Sequence, residues 1–199
     1  MQSQSDLLTG SLMIRESRHV SRLLRLAATK EQWDKAIVQN NVLQKQTVSA
    51  AQRITRGLRR RLEKLEPDLL KAIELGDDEL ARQVTVSAVL IQNPVLLTFF
   101  EEVLAESMLQ QQETLFLYQW DDHVESNLNL NPSAAAWSTT SKKKARQIVI
   151  RILWEAGYLS DTRSRRLQKV ALRPELTTLL LTHGHTRAHN ALNLKRQGT

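Results

Sequence analysis

Cysteine is absent from the 199 residues, which excludes a disulfide framework, a thiolate zinc site and thiol catalysis, and fits a reducing cytoplasm. There is no phosphate-cradling glycine loop and no nucleophile beside a paired base, so no enzyme class is indicated and no cofactor is expected. Aromatic residues make up only 5% of the chain, a poor supply for stacking on single-stranded nucleic acid. Long apolar runs are missing too. The longest uncharged stretch, Gln83 to Phe100, is interrupted by Gln92-Asn93-Pro94, which argues against a membrane span. Met1 to Leu12 lacks the basic start, apolar middle and small-residue cleavage site of a signal peptide.

Charge is abundant and unevenly placed. The net charge is +7, but residues 1–64 carry +8, residues 65–131 carry −11 and residues 132–199 carry +10. Two basic ends can each face a polyanion while the acidic middle cannot, the electrostatic footprint expected of a nucleic-acid binder. The plainer alternative is three solvated surfaces of differing sign.

With 6 Gly, 4 Pro and no low-complexity tract beyond Ser138 to Ser141, and with apolar residues recurring at steps of three and four, the chain reads as mainly α. A first helix is expected from Leu12 to Ala28, burying Ile14, Val20, Leu23, Leu24 and Leu26. A second begins after Thr29, capped by it with Gln32 in a capping box, turns Trp33, Ile37 and Val38 inward, and stops at Asn40-Asn41. A third runs from Thr47 to Leu65. Three helices with a short link before the last are the plan of an N-terminal helix-turn-helix domain, residues 1–66. Residues 67–131 form an acidic helical middle with helices over Pro67–Leu75, Asp78–Ile91 and Pro94–Gln111, and then a loose connection from Tyr118 to Pro132. Residues 132–199 read as a C-terminal winged-helix-like domain. Its helix runs from Ser138 to Ala156 and is stopped by Gly157 with Tyr158-Leu159 behind it; a small β-hairpin spans Arg163 to Leu172, and Pro174 opens a last helix.

On a wheel of about 100° per residue, Ala51, Ile54, Leu58, Leu62 and Leu65 share one arc. Ser49, Arg53, Arg56 and Arg60 fall opposite, with Arg59 and Arg61 at the flanks and Lys45-Gln46 in the turn before. No acidic residue lies between Lys45 and Arg61, whereas an ordinary exposed helix face mixes signs. Arginine at this spacing suits phosphate and guanine edges, because its planar fork makes two hydrogen bonds at once and keeps its charge. The C-terminal helix repeats the plan, with Ala145, Ile148, Val149, Ile152, Leu153 and Ala156 inward, Lys143 and Gln147 opposite, and Arg146 and Arg151 at the flanks. Ser138, Thr139, Thr140 and Ser141 offer hydroxyls and free N–H groups to a phosphate, and Lys142-Lys143-Lys144 add charge at the wrong end for the helix dipole, a cost that a bound anion relieves. Arg163, Arg165, Arg166 and Lys169 of the hairpin extend the surface; a solubilising basic terminus is the alternative. Gln46, Gln52 and Gln147 are the side chains suited to reading base edges.

Two clusters hint at metals and carry little weight. Asp121-Asp122-His123 with Glu125 has no supporting motif and reads as a solvated acidic turn. His183, His185 and His189 lack a fourth strong ligand.

The runs Leu43-Gln44-Lys45-Gln46-Thr47 and Arg53-Ile54-Thr55-Arg56-Gly57-Leu58-Arg59-Arg60-Arg61-Leu62, with Trp137-Ser138 and Glu155-Ala156-Gly157-Tyr158-Leu159 further on, resemble the BrxA family of bacteriophage exclusion (BREX) defence systems across most of the chain. The resemblance implies a mainly helical DNA-binding component of a defence complex that includes a DNA methyltransferase, with Arg53, Arg56, Arg59 and Arg60 as the binding face. It also implies a likeness to the RNA-binding NusB proteins. The inner-membrane label once given to the family finds no support in this sequence. The reading is therefore a non-enzymatic protein that grips duplex DNA, with RNA and a protein scaffold role as alternatives.

Overall fold

In the computed structural model, which describes residues 10–127 and 137–194, the chain folds mainly into helices. Helix α1 (Ile14–Arg25) is followed by α2 (Lys30–Asp34), which widens into a π-helical turn at Lys35–Gln39, and by α3 (Val48–Leu62). The capping box of Thr29 and Gln32 forms at the start of α2, and Thr47 accepts from the Ala50 N–H at 3.1 Å at the start of α3. The α2–α3 link turns on Asn41, in the left-handed region at φ 44, whose side-chain amide holds both the N–H and the C=O of Lys45. The predicted arc of α3 is buried throughout, with Leu58 and Leu62 fully so, and α3 runs on through Gly57, itself buried against the core. The first helix is shorter than the pattern predicts. Leu26, expected inside, lies past its end and is exposed.

The middle supplies α4 (Pro67–Leu75), α5 (Asp78–Gln92) and α6 (Pro94–Thr98), which passes through a π-helical stretch (Phe99–Leu104) into α7 (Ala105–Leu109). Helix α5 is the axis of the molecule: every residue from Gln83 to Leu90 is buried, and α1, α3, α4, α6, α10 and α11 all pack on it. The packing therefore runs across the expected domain boundary at residue 66. Arg18 of α1 donates to the carbonyls of Ile73, Glu74 and Gly76, satisfying the open C-terminal end of α4, and Arg25 donates to Glu74 at 2.7 Å. Among the described residues no single helix is long and apolar enough to cross a membrane. The apolar pair Asp78–Gln92 and Pro94–Leu109 bends by 112° at Asn93.

Helix α8 (Leu117–Ser126) stands where a loose connection is expected. It forms because Trp120 and Val124, four residues apart, dock on the core with His123 between them, and Phe99 meets the Trp120 ring edge-on at 5.2 Å. The predicted stretch from Tyr118 to Pro132 otherwise falls partly outside the described residues. Helix α9 (Thr139–Glu155) ends as expected at Gly157, φ 87, with the Tyr158 N–H returning to the Leu153 carbonyl at 2.9 Å. Ile150 is buried, and the predicted Ile148 lies only half inside. Helices α10 (Pro174–Thr182) and α11 (Thr186–Leu192) close the fold, pinned by Tyr158 Oη to the Leu192 carbonyl at 2.6 Å and by Arg187 to buried Glu101 at 2.7 and 2.8 Å.

The described residues contain no strand. In place of the expected hairpin over Arg163 to Leu172, two isolated antiparallel bridges occur, Leu159 with Leu167 and Thr114 with Arg166. The second partner of the Arg166–Gln168 segment is thus Glu113–Leu115, from before α8, with the Leu167 N–H reaching the Glu113 carbonyl at 2.9 Å.

Candidate nucleic-acid interface

All four expected residues of the α3 row, Ser49, Arg53, Arg56 and Arg60, are exposed, and Gln46, Gln52 and Arg59 are exposed beside them. Arg53 and Arg56 make no ion pair or hydrogen bond among the described residues. Their neighbours differ. Arg59 lies 5.2 Å above the Trp33 ring and 3.8 Å from Glu63. Arg61, expected at the flank of the row, is 1% exposed and turns inward, donating to the backbone carbonyls of Ser11 at 3.0 Å and Leu12 at 3.4 Å. Lys45 is paired with Glu16. Burial works to raise the Glu16 pKa, but the hydrogen bond from Lys45 and its charge outweigh it and hold the carboxyl below its ordinary value.

Along α9, part of the basic surplus is neutralised by α8. Lys142 meets Glu125 at 3.1 Å and Arg146 is paired with Asp121. Asp121 and Glu125 of the acidic cluster are therefore counter-ions on a helix. His123 is buried, its Nε2 lying 3.0 Å from both the Val95 carbonyl and Thr98 Oγ1; burial lowers its pKa, partly offset by the carbonyl and by Glu102. The three C-terminal histidines likewise separate, His185 lying 3.0 Å from Glu66 and His183 3.7 Å from Asp68, and no group of metal-ligating residues occurs among the described residues. Ser138 caps α9, accepting from the Ser141 N–H at 3.2 Å, and with Thr139, Lys143 and Gln147 it remains exposed.

The segment after α9 is braced from within. Asp161 accepts from Ser164 Oγ and from the Ser164 and Arg163 N–H groups, which hold its carboxyl far below the usual carboxylate range. Arg165, φ 53, folds back to the carbonyls of Leu115 at 3.0 Å and Arg163 at 2.7 Å, so it ties the loop to the residues before α8 rather than extending outward. Arg163, Arg166 and Lys169 are exposed.

The two basic ends meet. A cleft of about 730 Å³ is lined by Arg53 of α3, Lys144 and Arg151 of α9, Arg82 of α5, and Arg15 with the residues that lead into α1. Arg151 is paired with Glu155 and Arg82 with Glu79, and the charge of Arg15 acts on neighbouring Glu16, whereas Arg53 and Lys144 make no ion pair among the described residues. Sequence reasoning places Arg53 and Lys144 on separate modules and passes over Arg15 and Arg82. Arg82 did carry a signal, since it is one of two cations in the acidic residues 65–131.

The chain is thus a mainly helical protein built around one buried helix, with a cationic cleft on its surface. The chain matches the BrxA family over residues 2–184 and belongs to that family. It is similar to a BREX protein BrxA of Escherichia coli O9:H4 (strain HS), 33% identical over 191 residues, covering 96% of this chain and 90% of that protein. It is also similar to a BREX protein BrxA of Paramagnetospirillum magneticum (strain ATCC 700264 / AMB-1), 30% identical over 177 residues and 89% of each. Among solved structures, that of an uncharacterized protein from Magnetospirillum magneticum superposes with a TM-score of 0.87 at 27% identity, covering 98% of this chain and 100% of that one.

Proposed function

We propose that the protein is a non-enzymatic double-stranded DNA-binding component of a bacteriophage exclusion system, acting in the cytoplasm beside other BREX proteins, a methyltransferase among them. The observation that carries the reading is the cleft where unpartnered Arg53 and Lys144, from the two basic ends of the chain, face one space with Arg15. Six cations, Arg15, Lys45, Arg53, Arg82, Lys144 and Arg151, line it against two carboxylates, Glu16 and Glu155, and the self-repulsion of that surplus is relieved by a phosphate backbone. The order of elements adds support. A helix ending at Leu109, a bridging segment at Thr114, α8, α9, and bridging segments at Leu159 and at Arg166-Leu167, the last lying between the other two, follow the order of a winged helix-turn-helix with α9 as its second, groove-facing helix. Helices α1 to α3 would serve as a second helix-turn-helix unit. Binding rests mainly on phosphate, with modest base preference from Gln46, Gln52 and Gln147.

RNA is the second reading, favoured by one observation: Phe116 and Tyr118 stack at 5.7 Å between ring centres and are both exposed. The test is a titration against a labelled duplex and a single-stranded RNA of equal length at two salt concentrations. Tighter, salt-sensitive duplex binding supports the first reading; preference for the single strand supports the second. Absence of both overturns the nucleic-acid reading and leaves a protein scaffold.

A further inference from the structure

Between α2 and α3 lies a second cavity, of about 520 Å³, within the range of small-molecule sites. Its character differs from that of the cleft. The Trp33 ring forms part of the wall, with the Arg59 guanidinium 5.2 Å above it. Lys30 and Arg56 join Arg59 in lining it, against the single carboxylate of Asp34. Ile37 and Val38 supply an apolar side from the π-helical turn at Lys35–Gln39, and such widened turns recur at functional sites. Behind them Thr55 is 8% exposed, and its hydroxyl makes no hydrogen bond among the described residues. A buried hydroxyl without a partner is costly, and a polar ligand group in the cavity offers one after a turn about the Thr55 Cα–Cβ bond.

An indole face, an apolar side, three cations and one unsatisfied hydroxyl select for a planar ring that carries an anion. We propose that this cavity binds a nucleoside monophosphate, its base against Trp33 and its phosphate among Lys30, Arg56 and Arg59. Guanidinium and ammonium groups hold the phosphate, while ring stacking makes the site tolerant of which base is present. Occupancy engages Arg56 and Arg59, which also belong to the basic row of α3, so the ligand competes with duplex phosphates for them and weakens duplex binding. That consequence rests on the DNA reading above; the binding itself does not.

Calorimetric titration of the full chain with AMP tests the site. Saturable binding is expected, with adenosine and ribose 5-phosphate each about tenfold weaker, and with about a tenfold loss in Trp33→Ala and in Arg59→Gln. Trp33→Phe keeps most of the affinity. Because Trp33 is partly buried, Arg59→Gln, an exposed substitution, carries the test if Trp33→Ala fails to fold. No heat at millimolar AMP, or equal affinity in Arg59→Gln, overturns the proposal. A duplex titration with and without AMP keeps the two readings apart: AMP binding by a chain with no duplex affinity leaves this site standing and removes the DNA reading.

Discussion

The backbone N–H of Leu12 donates to the carboxylate of Glu155 at 2.7 Å, joining the segment that leads into the first helix to the last residue of α9. Leu12 is fully buried, and its carbonyl accepts from Ser17 Oγ at 3.2 Å and from Arg61 at 3.4 Å. Both polar groups of one apolar residue are thereby satisfied by side chains from three elements. Glu155→Ala is expected to destabilise the fold by about 1–3 kcal/mol, because it strands a buried donor. Glu155→Gln keeps an acceptor and should cost less. Urea unfolding of the two variants decides it.

Arg60 and Arg61 are neighbours with opposite orientations, one exposed and one at 1% exposure among backbone carbonyls. Arg61→Ala should lower stability by about 2–3 kcal/mol, since hydrogen bonds to a charged donor are lost and carbonyls left bare. Arg60→Ala should stay within about 0.5 kcal/mol of the parent, as exposed substitutions do, while weakening duplex binding. Thermal melting and a binding titration on the same samples separate the roles.

Arg53→Ala combined with Arg56→Ala removes two cations that lack partners among the described residues. The slope of log affinity against log salt should fall by about 2, with similar losses on every duplex sequence. A loss confined to one sequence would mark these side chains as base readers instead.

His123 gives a pH dependence whose sign follows from its burial. Its pKa is lowered in the folded state, so the unfolded chain takes up the proton first as the pH falls. The stabilisation is complete above about pH 6.5, the ordinary histidine value, and declines below it at up to about 1.4 kcal/mol per pH unit. Melting temperatures from pH 8 to 5, compared between the parent and His123→Gln, report it; a parallel decline in both would assign the effect to other groups.

Much of the helical plan was legible because it rests on local chemistry. Thr29 with Gln32, Thr47, Pro67, Gly157 and Pro174 each mark a helix end by what their backbone or hydroxyl can do, and each does so here. Helix α8 was not legible, because a buried histidine and two aspartates mask its short apolar stripe, and the ion pair of Asp121 with Arg146 spans 25 residues. The row on α3 could be read from its periodicity. The inward turn of Arg61 could not, since the carbonyls that receive it lie about fifty residues earlier. Nor could the cleft: which cations share a space is decided by the packing of α1, α3 and α9 around α5.

The length of the α3 row sets how much a groove-bound helix can read. From Arg53 to Arg60 the axis advances about 10 Å, at about 1.5 Å per residue. Duplex DNA rises about 3.4 Å per pair, so the row spans about three base pairs. A word of three letters recurs throughout any bacterial chromosome, where about 10⁶ or more competing sites exist. On the proposed reading this chain therefore supplies grip without an address, and whatever directs a defence complex to a particular locus must be written in another subunit.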